Sequence, residues 1–393
     1  MTRPVPDRFA AFLPTHEETE LLQICWGPHG LANAAWQKQQ AGLNGKGPAA
    51  FDRRTGSSLW KLRVPLLFAL RRHQLEADPT LLTFLKAAYA AETARRDFCY
   101  GICRETIAEL RPVTDRVVVL KGVSLAEAAY EDPALRHCHD LDLLLAEQAV
   151  VPAADRLRGC GFRPTPGRWA ASAAHLELTH PSGFPVVLHA RPFDPPWFAV
   201  DVNGFRQRAC PLPALGEGAY APAPADALCH VCAHAAYSGG RQALGWVGDA
   251  AAILARHLEL DWNRLTQLAL DSGLQRTVRT ALAFLARALA APVPDSCLPA
   301  LADTAEPTPL RKALAHYGMQ GSLRGKMGAL LRVPGGLRSR RFILGSVGLP
   351  SADYLRWRYP RAWQRCRPAC RAMHLLCCIG HRLRTSRCGW RRS

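Results

Sequence analysis

No stretch of this chain approaches the ~18–20 uninterrupted apolar residues that a membrane-spanning helix needs. The longest apolar run near the end, Ala372 to Gly380, is far shorter and contains His374, so no transmembrane segment is expected. The first residues, Met1 to Pro14, lack an apolar core followed by a small-residue cleavage site. No export signal is read there, and a cytoplasmic location is expected. Acidic residues are missing from one region in particular. From Gly321 to the end, about seventeen Lys and Arg face the single acid Asp353, so the tail carries nearly all of the net charge of +18. The remainder of the chain is close to neutral.

Cysteine is plentiful, at 14 residues, but a disulfide framework is not implied. Cys99/Cys103 and Cys229/Cys232 sit at helical spacing inside apolar segments and the others are scattered, as expected of buried free thiols. Cys229-His230-Val231-Cys232 has the look of a zinc half-site. No second Cys or His pair stands at finger-like spacing beside it, and a structural zinc needs four ligands.

Four regions follow from the patterning. Residues 1–112 read as helical: Thr15-His16-Glu17-Glu18 is a capping box, and Asp78-Pro79 opens a long periodic segment from Thr80 to about Leu110. Residues 113–212 read as a small β-α-β-α-β-β core. Its strands are Arg116 to Leu120, His139 to Leu145, His175 to His180 and Pro185 to His189, with helices at Ser124 to Tyr130 and Pro152 to Arg158. The Pro- and Gly-rich segment from Pro211 to Pro224 reads as a linker. Residues 213–315 then carry helices at Leu228 to Tyr237, Leu244 to Leu258, Trp262 to Leu270 and Thr277 to Leu289. Residues 316–393 form the Arg-rich tail, and the fold class is α+β.

Asp140-Leu141-Asp142 carries the chemistry. On a strand, both carboxylates share one face, and a divalent cation relieves their repulsion. Magnesium takes one or two carboxylates plus substrate phosphates, so the pair suits a metal-bound nucleotide. Lys121-Gly122 directly follows a buried strand and opens a helix, where backbone amides, the Lys121 charge and the Ser124 hydroxyl can meet a triphosphate.

These residues carry a resemblance. Leu120-Lys121-Gly122, Tyr130, Arg136 and Asp140-Leu141-Asp142-Leu143-Leu144 look like the uncharacterised bacterial nucleotidyltransferase family related to DNA polymerase beta. So do Leu188-His189, His234, Trp246-Val247-Gly248-Asp249 and Asp261-Trp262-Asn263-Arg264-Leu265. The resemblance implies transfer of a nucleoside monophosphate from a nucleoside triphosphate to a hydroxyl-type acceptor (a small molecule, peptide or protein). It also implies two Mg2+ ions, or Mn2+, bridged by Asp140 and Asp142.

Two departures qualify it. The superfamily's Gly-Ser pair becomes Gly122-Val123-Ser124, and a third carboxylate, expected two residues before His189, is replaced by Val187. A hairpin closed by Pro181-Ser182-Gly183 sets Glu177 opposite Val187, so Glu177 either presents a replacement carboxylate or is an ordinary strand glutamate. Without a replacement, the alternative is a weakened member that binds nucleotide or a partner and does not transfer. His189, His175 and Arg136 are phosphate candidates; Arg136 pairing with Glu131 or Asp132 is the competing reading. His234 and Asp249 read as packing residues. In the tail, Arg356, Trp357, Arg358, Tyr359, Arg361, Trp363 and Arg365 interleave cations and aromatics. That pattern suits an anionic surface or nucleic acid, or an extension packed partly on the body.

Overall fold

The computed structural model describes residues 12–51, 59–165, 175–193, 198–237, 243–302, 352–368, 370 and 372–373. The N-terminal helices are α1 (His16–Trp26), α2 (His29–Lys46), α3 (Arg63–Arg72) and α4 (Pro79–Leu110). The Thr15–Glu18 capping box forms, and Asp78 accepts from the Thr80 and Leu81 amides at the head of α4. The chain then runs β1 (Val117–Leu120), α5 (Lys121–Ala128), β2 (Leu141–Leu144), α6 (Glu147–Gly159), β3 (Arg163–Pro164), β4 (His175–Thr179) and β5 (Pro185–His189). It continues as α7 (Val202–Gln207), β6 (Cys210–Pro211), β7 (Ala219–Ala221), α8 (Pro224–Tyr237), α9 (Ala243–Arg256), α10 (Trp262–Ser272), α11 (Gln275–Leu289) and α12 (Cys297–Ala300). Two tail helices, α13 (Ala352–Arg358) and α14 (Pro360–Arg365), complete the described elements.

The strands form one mixed sheet in the order β3-β4-β5-β2-β1-β7-β6. β1 runs antiparallel to β2, β2 parallel to β5, and β5 antiparallel to β4. The segment read as a linker contributes β6 and β7, and β7 pairs in parallel with β1. Strands of two and three residues show no usable alternation, so periodicity could not find them. The β4–β5 hairpin has the expected register, with Glu177 opposite Val187 and the turn glycine Gly183 at φ 90°.

Two cores result. Helices from both ends of the chain share the first: Leu22, Ile24, Leu66, Leu81 and Leu85 pack with Leu228, Val247, Leu265 and Leu282. The second lies beneath the sheet, where Val117, Val119, Leu141, Leu143, Val186 and Leu188 meet α6 and the far half of α4 through Ile102, Cys103 and Ile107. Helix α4, at about 1.5 Å per residue, is long enough to serve both. On the other sheet face an apolar cluster forms where α7 covers it, through Val118, Leu120, Leu144 and Phe205. By strand alternation the rest of that face carries Asp142, Val187, His189, His175 and Glu177.

The tail helices belong to the second core. Tyr354, Leu355, Trp357, Trp363 and Cys370 are buried in it, while Arg356, Arg361, Arg365 and Arg367 are exposed. Arg158 donates to the Trp357 carbonyl at 3.2 Å. Trp357 and Trp363 are therefore unavailable for stacking on bases; tail residues 321–351 and 374–393 lie outside the described residues. Trp363 is only 9% exposed, so Trp363→Ala should lower the unfolding free energy by about 3–5 kcal/mol. Urea unfolding measures this, and an unchanged midpoint would mean that the tail is not part of the core.

Candidate active site

The site forms where β1 passes into α5. Lys121 adopts φ 55° there, a left-handed conformation that costs a non-glycine residue about 1–2 kcal/mol. Since Leu120 pairs with Asp142, the next residue lies beside that carboxylate, and Lys121 Nζ is 3.2 Å from Asp142 Oδ2. From the strand on the other side, His189 Nε2 donates to Asp142 Oδ1 at 2.7 Å. Asp142 is 4% exposed. Burial alone would raise its pKa, but Lys121 and then His189 hold it well below the usual carboxylate range.

Asp140 sits just before β2, with its side chain 33% exposed and 3.6 Å from His139. Burial and the charge on Asp142 push its pKa up, opposed by His139 and Lys121. The pair is thus split by environment: the inner carboxylate is held ionised, and the outer one binds a proton more readily.

A row of polar groups continues along this face. The His175 ring meets that of His189 edge-on at 4.7 Å, and His175 Nε2 lies 3.4 Å from Glu177 Oε1. Val187 stands between Asp142 and Glu177 in the sheet, so the Cα atoms of the two acids are two strand spacings apart, about 9–10 Å. Among the described residues, no three or more His, Cys, Asp or Glu side chains gather to hold a metal ion. The hairpin register is the expected one, and it leaves Glu177 two strands from Asp142 and beside His175.

Two other expectations change, for Arg136 and Ser124, and Gly122 gains a packing role. Arg136 does not face a phosphate, nor does it pair with Glu131 or Asp132. Its Nε and Nη2 donate to Asp249 at 2.6 and 3.0 Å, and the Tyr130 hydroxyl donates to the same carboxylate at 2.8 Å. Gly122 opens α5 and also packs closely, since a Cβ there would lie 3.3 Å from Cys138 Sγ, a tight contact that Cys138 would have to relieve. Ser124 is fully buried, and its hydroxyl has no partner among the described residues.

The loop leading to Asp140 is consequently held from several sides. Arg136 is bound to Asp249 on α9, His137 Nδ1 is 2.9 Å from Glu92 on α4, and Cys138 lies against Gly122. The Trp246-Val247-Gly248-Asp249 string makes sense as a close-approach motif. A Cβ at Gly248 would fall 2.6 Å from the Trp26 ring and 3.1 Å from the Tyr130 hydroxyl.

From above the sheet, α8 contributes His230 and His234, with ring centroids 6.3 Å apart. Burial lowers both pKa values, and the Lys121 charge lowers them further, His230 down to about 3. His234, read as a packing residue, is largely buried and within reach of the Lys121 and Asp142 charges. The available signal was the i, i+4 spacing of two histidines on one helical face.

His230 also makes a pH prediction. Its ordinary pKa is about 6.5, so as pH falls the unfolded chain takes up the proton first. Stability is complete above pH ~6.5 and falls, by at most about 1.4 kcal/mol per pH unit, until the folded-state value is reached. His230→Gln should flatten the decline between pH 7 and 5 in urea unfolding; an unchanged slope would mean that His230 is protonated in the folded protein.

Comparison with known proteins adds one match. A family model described as an uncharacterised nucleotidyltransferase matches residues 61–290, which include β1, β2, β5 and α8 to α11. No curated protein and no solved structure matches the chain.

Proposed function

Since the chain belongs to the uncharacterised nucleotidyltransferase family, whose match covers more than half of it, we propose that it transfers a nucleoside monophosphate from a nucleoside triphosphate to a hydroxyl-bearing acceptor at Asp140 and Asp142. The observation that carries this reading is the buried, ionised Asp142, set between Lys121 and His189 at the head of α5. Two carboxylates at one strand end suit a magnesium or manganese ion that takes its remaining ligands from phosphate oxygens and water. Asp140 and Asp142 would hold it, and it would neutralise charge on the triphosphate. A second ion would want a third carboxylate, and Val187 offers none.

The chain's own groups account for the remaining steps. The Lys121 ammonium and the amides opening α5 bind triphosphate oxygens. His189 keeps the Asp142 carboxylate oriented through Oδ1. His234, which burial keeps neutral, lies within reach of the Asp142 charge and can accept a hydrogen bond from the acceptor's hydroxyl, whose proton passes to solvent. The acceptor oxygen bonds to the α-phosphorus. The bond from that phosphorus to the bridging oxygen breaks, and pyrophosphate leaves with the electron pair.

The test incubates the protein with Mg2+, α-labelled nucleoside triphosphates and fractionated pools of sugars, peptides and proteins. Pyrophosphate release with label transfer supports the proposal. Absence of any metal-dependent nucleotide binding would sink it. Binding without transfer in any pool would favour a weakened, nucleotide-binding member, the reading that Val187 supports.

A further inference from the structure

Lys121 Nζ, 3.2 Å from Asp142 Oδ2, already places one cation beside that carboxylate. A carboxylate this buried needs a compensating charge, since an isolated ion in the interior is unstable. Lys121 supplies it from a strained backbone position, and such strain persists where the surroundings over-determine it, often at functional sites. The Lys121 side chain is nonetheless 23% exposed, so part of it reaches solvent.

Charge decides what can join it. A bare divalent cation beside both Asp142 and the Lys121 ammonium meets strong repulsion at a few ångströms in a half-dry site. A metal-bound nucleoside triphosphate carries a net negative charge and offers the ammonium a new partner. We propose that Lys121 is a resident counter-ion that gives up Asp142 for the triphosphate, so that the site refuses free divalent metal and admits it only together with nucleotide. This rests on the nucleotide reading above and adds a loading order to it.

The test is metal binding by the full-length protein, independent of turnover. Mn2+ alone, and Mn2+ with the non-transferable α,β-imido analogues of ATP and GTP, are titrated into wild type, Lys121→Met and Lys121→Arg, with Asp142→Asn as the control. Wild type should bind Mn2+ alone weakly. Lys121→Met should bind Mn2+ alone about tenfold or more tighter, yet bind the Mn2+–analogue complex about tenfold or more weaker. Lys121→Arg should behave like wild type, and Asp142→Asn should remove the new Mn2+ affinity when combined with Lys121→Met.

A purely structural Lys121 would weaken both kinds of binding, and that result overturns the proposal. So does Lys121→Met binding free Mn2+ no better than wild type. If Lys121→Met does not fold, wild type alone decides: Mn2+ bound as tightly without analogue as with it refutes the loading order, and metal bound only with analogue supports it. If wild type binds neither analogue, the functional reading itself fails. If it binds them and only the Lys121→Met result is wrong, the loading order fails while the functional reading stands.

Discussion

Asp142→Asn should reduce pyrophosphate release by about a thousandfold or more, the scale seen when a preorganised charge is lost from a reacting centre. The amide matches the carboxylate in shape but cannot carry charge. Lys121 and His189 would then face a neutral group where they now hold an anion, and any metal-bound phosphate would lose its innermost anchor. Asp140→Asn should also be severely impaired. Its fold should suffer less, because Asp140 is the more exposed of the two and its pKa is already raised. Rates at saturating nucleotide and circular-dichroism melting curves separate the two effects. If Asp142→Asn stays folded and keeps more than about a tenth of wild-type turnover, the carboxylate is not where the chemistry happens.

Asp249→Ala should lower the unfolding free energy by about 3–5 kcal/mol, because it strands Arg136 as an uncompensated buried charge. Both oxygens of Asp249 are in use, by Arg136 twice and by Tyr130 once. Replacing both partners with apolar residues, Arg136→Met with Asp249→Leu, should restore much of that stability, since no buried ion is left unpaired. Nucleotide transfer should not return with it. The Arg136–Asp249 pair also holds the loop that sets Asp140 at the end of β2, and an apolar contact does not fix direction as a two-pronged ion pair does. Urea unfolding of the single and double variants, read as a cycle, tests the first claim. Recovery of stability together with activity would refute the second.

Much of this was legible in the chain itself. The Thr15–Glu18 and Asp78 caps, the β-branched strand before Lys121 and the hairpin register that pairs Glu177 with Val187 all formed as expected. Each rests on hydrogen bonds or side-chain periods that span a few residues. Asp142 was legible for the same reason, since alternation along β2 is a local matter, whereas Asp140 lies just before that strand. What escaped was everything decided by distant partners. Arg136 took Asp249, 113 positions away, over the nearby Glu131 and Asp132. The short β6 and β7 became strands only because β1 offered a free edge. Trp357 and Trp363 of the tail turned inward, into the core beneath the sheet.

Glu177 shows where the two levels part. Hairpin geometry was enough to place it opposite Val187, because turn type sets register. Whether it could reach Asp142 depended on the order of strands in the sheet, and β5 lies between β4 and β2. Local hydrogen bonding and periodicity thus established the elements, the acidic pair and the Lys-Gly turn. Long-range packing alone chose the neighbours of Asp142: Lys121 and His189 in contact, His234 within reach of its charge, and Glu177 two strands away, because strand order and helix docking depend on burying surfaces distant in the chain.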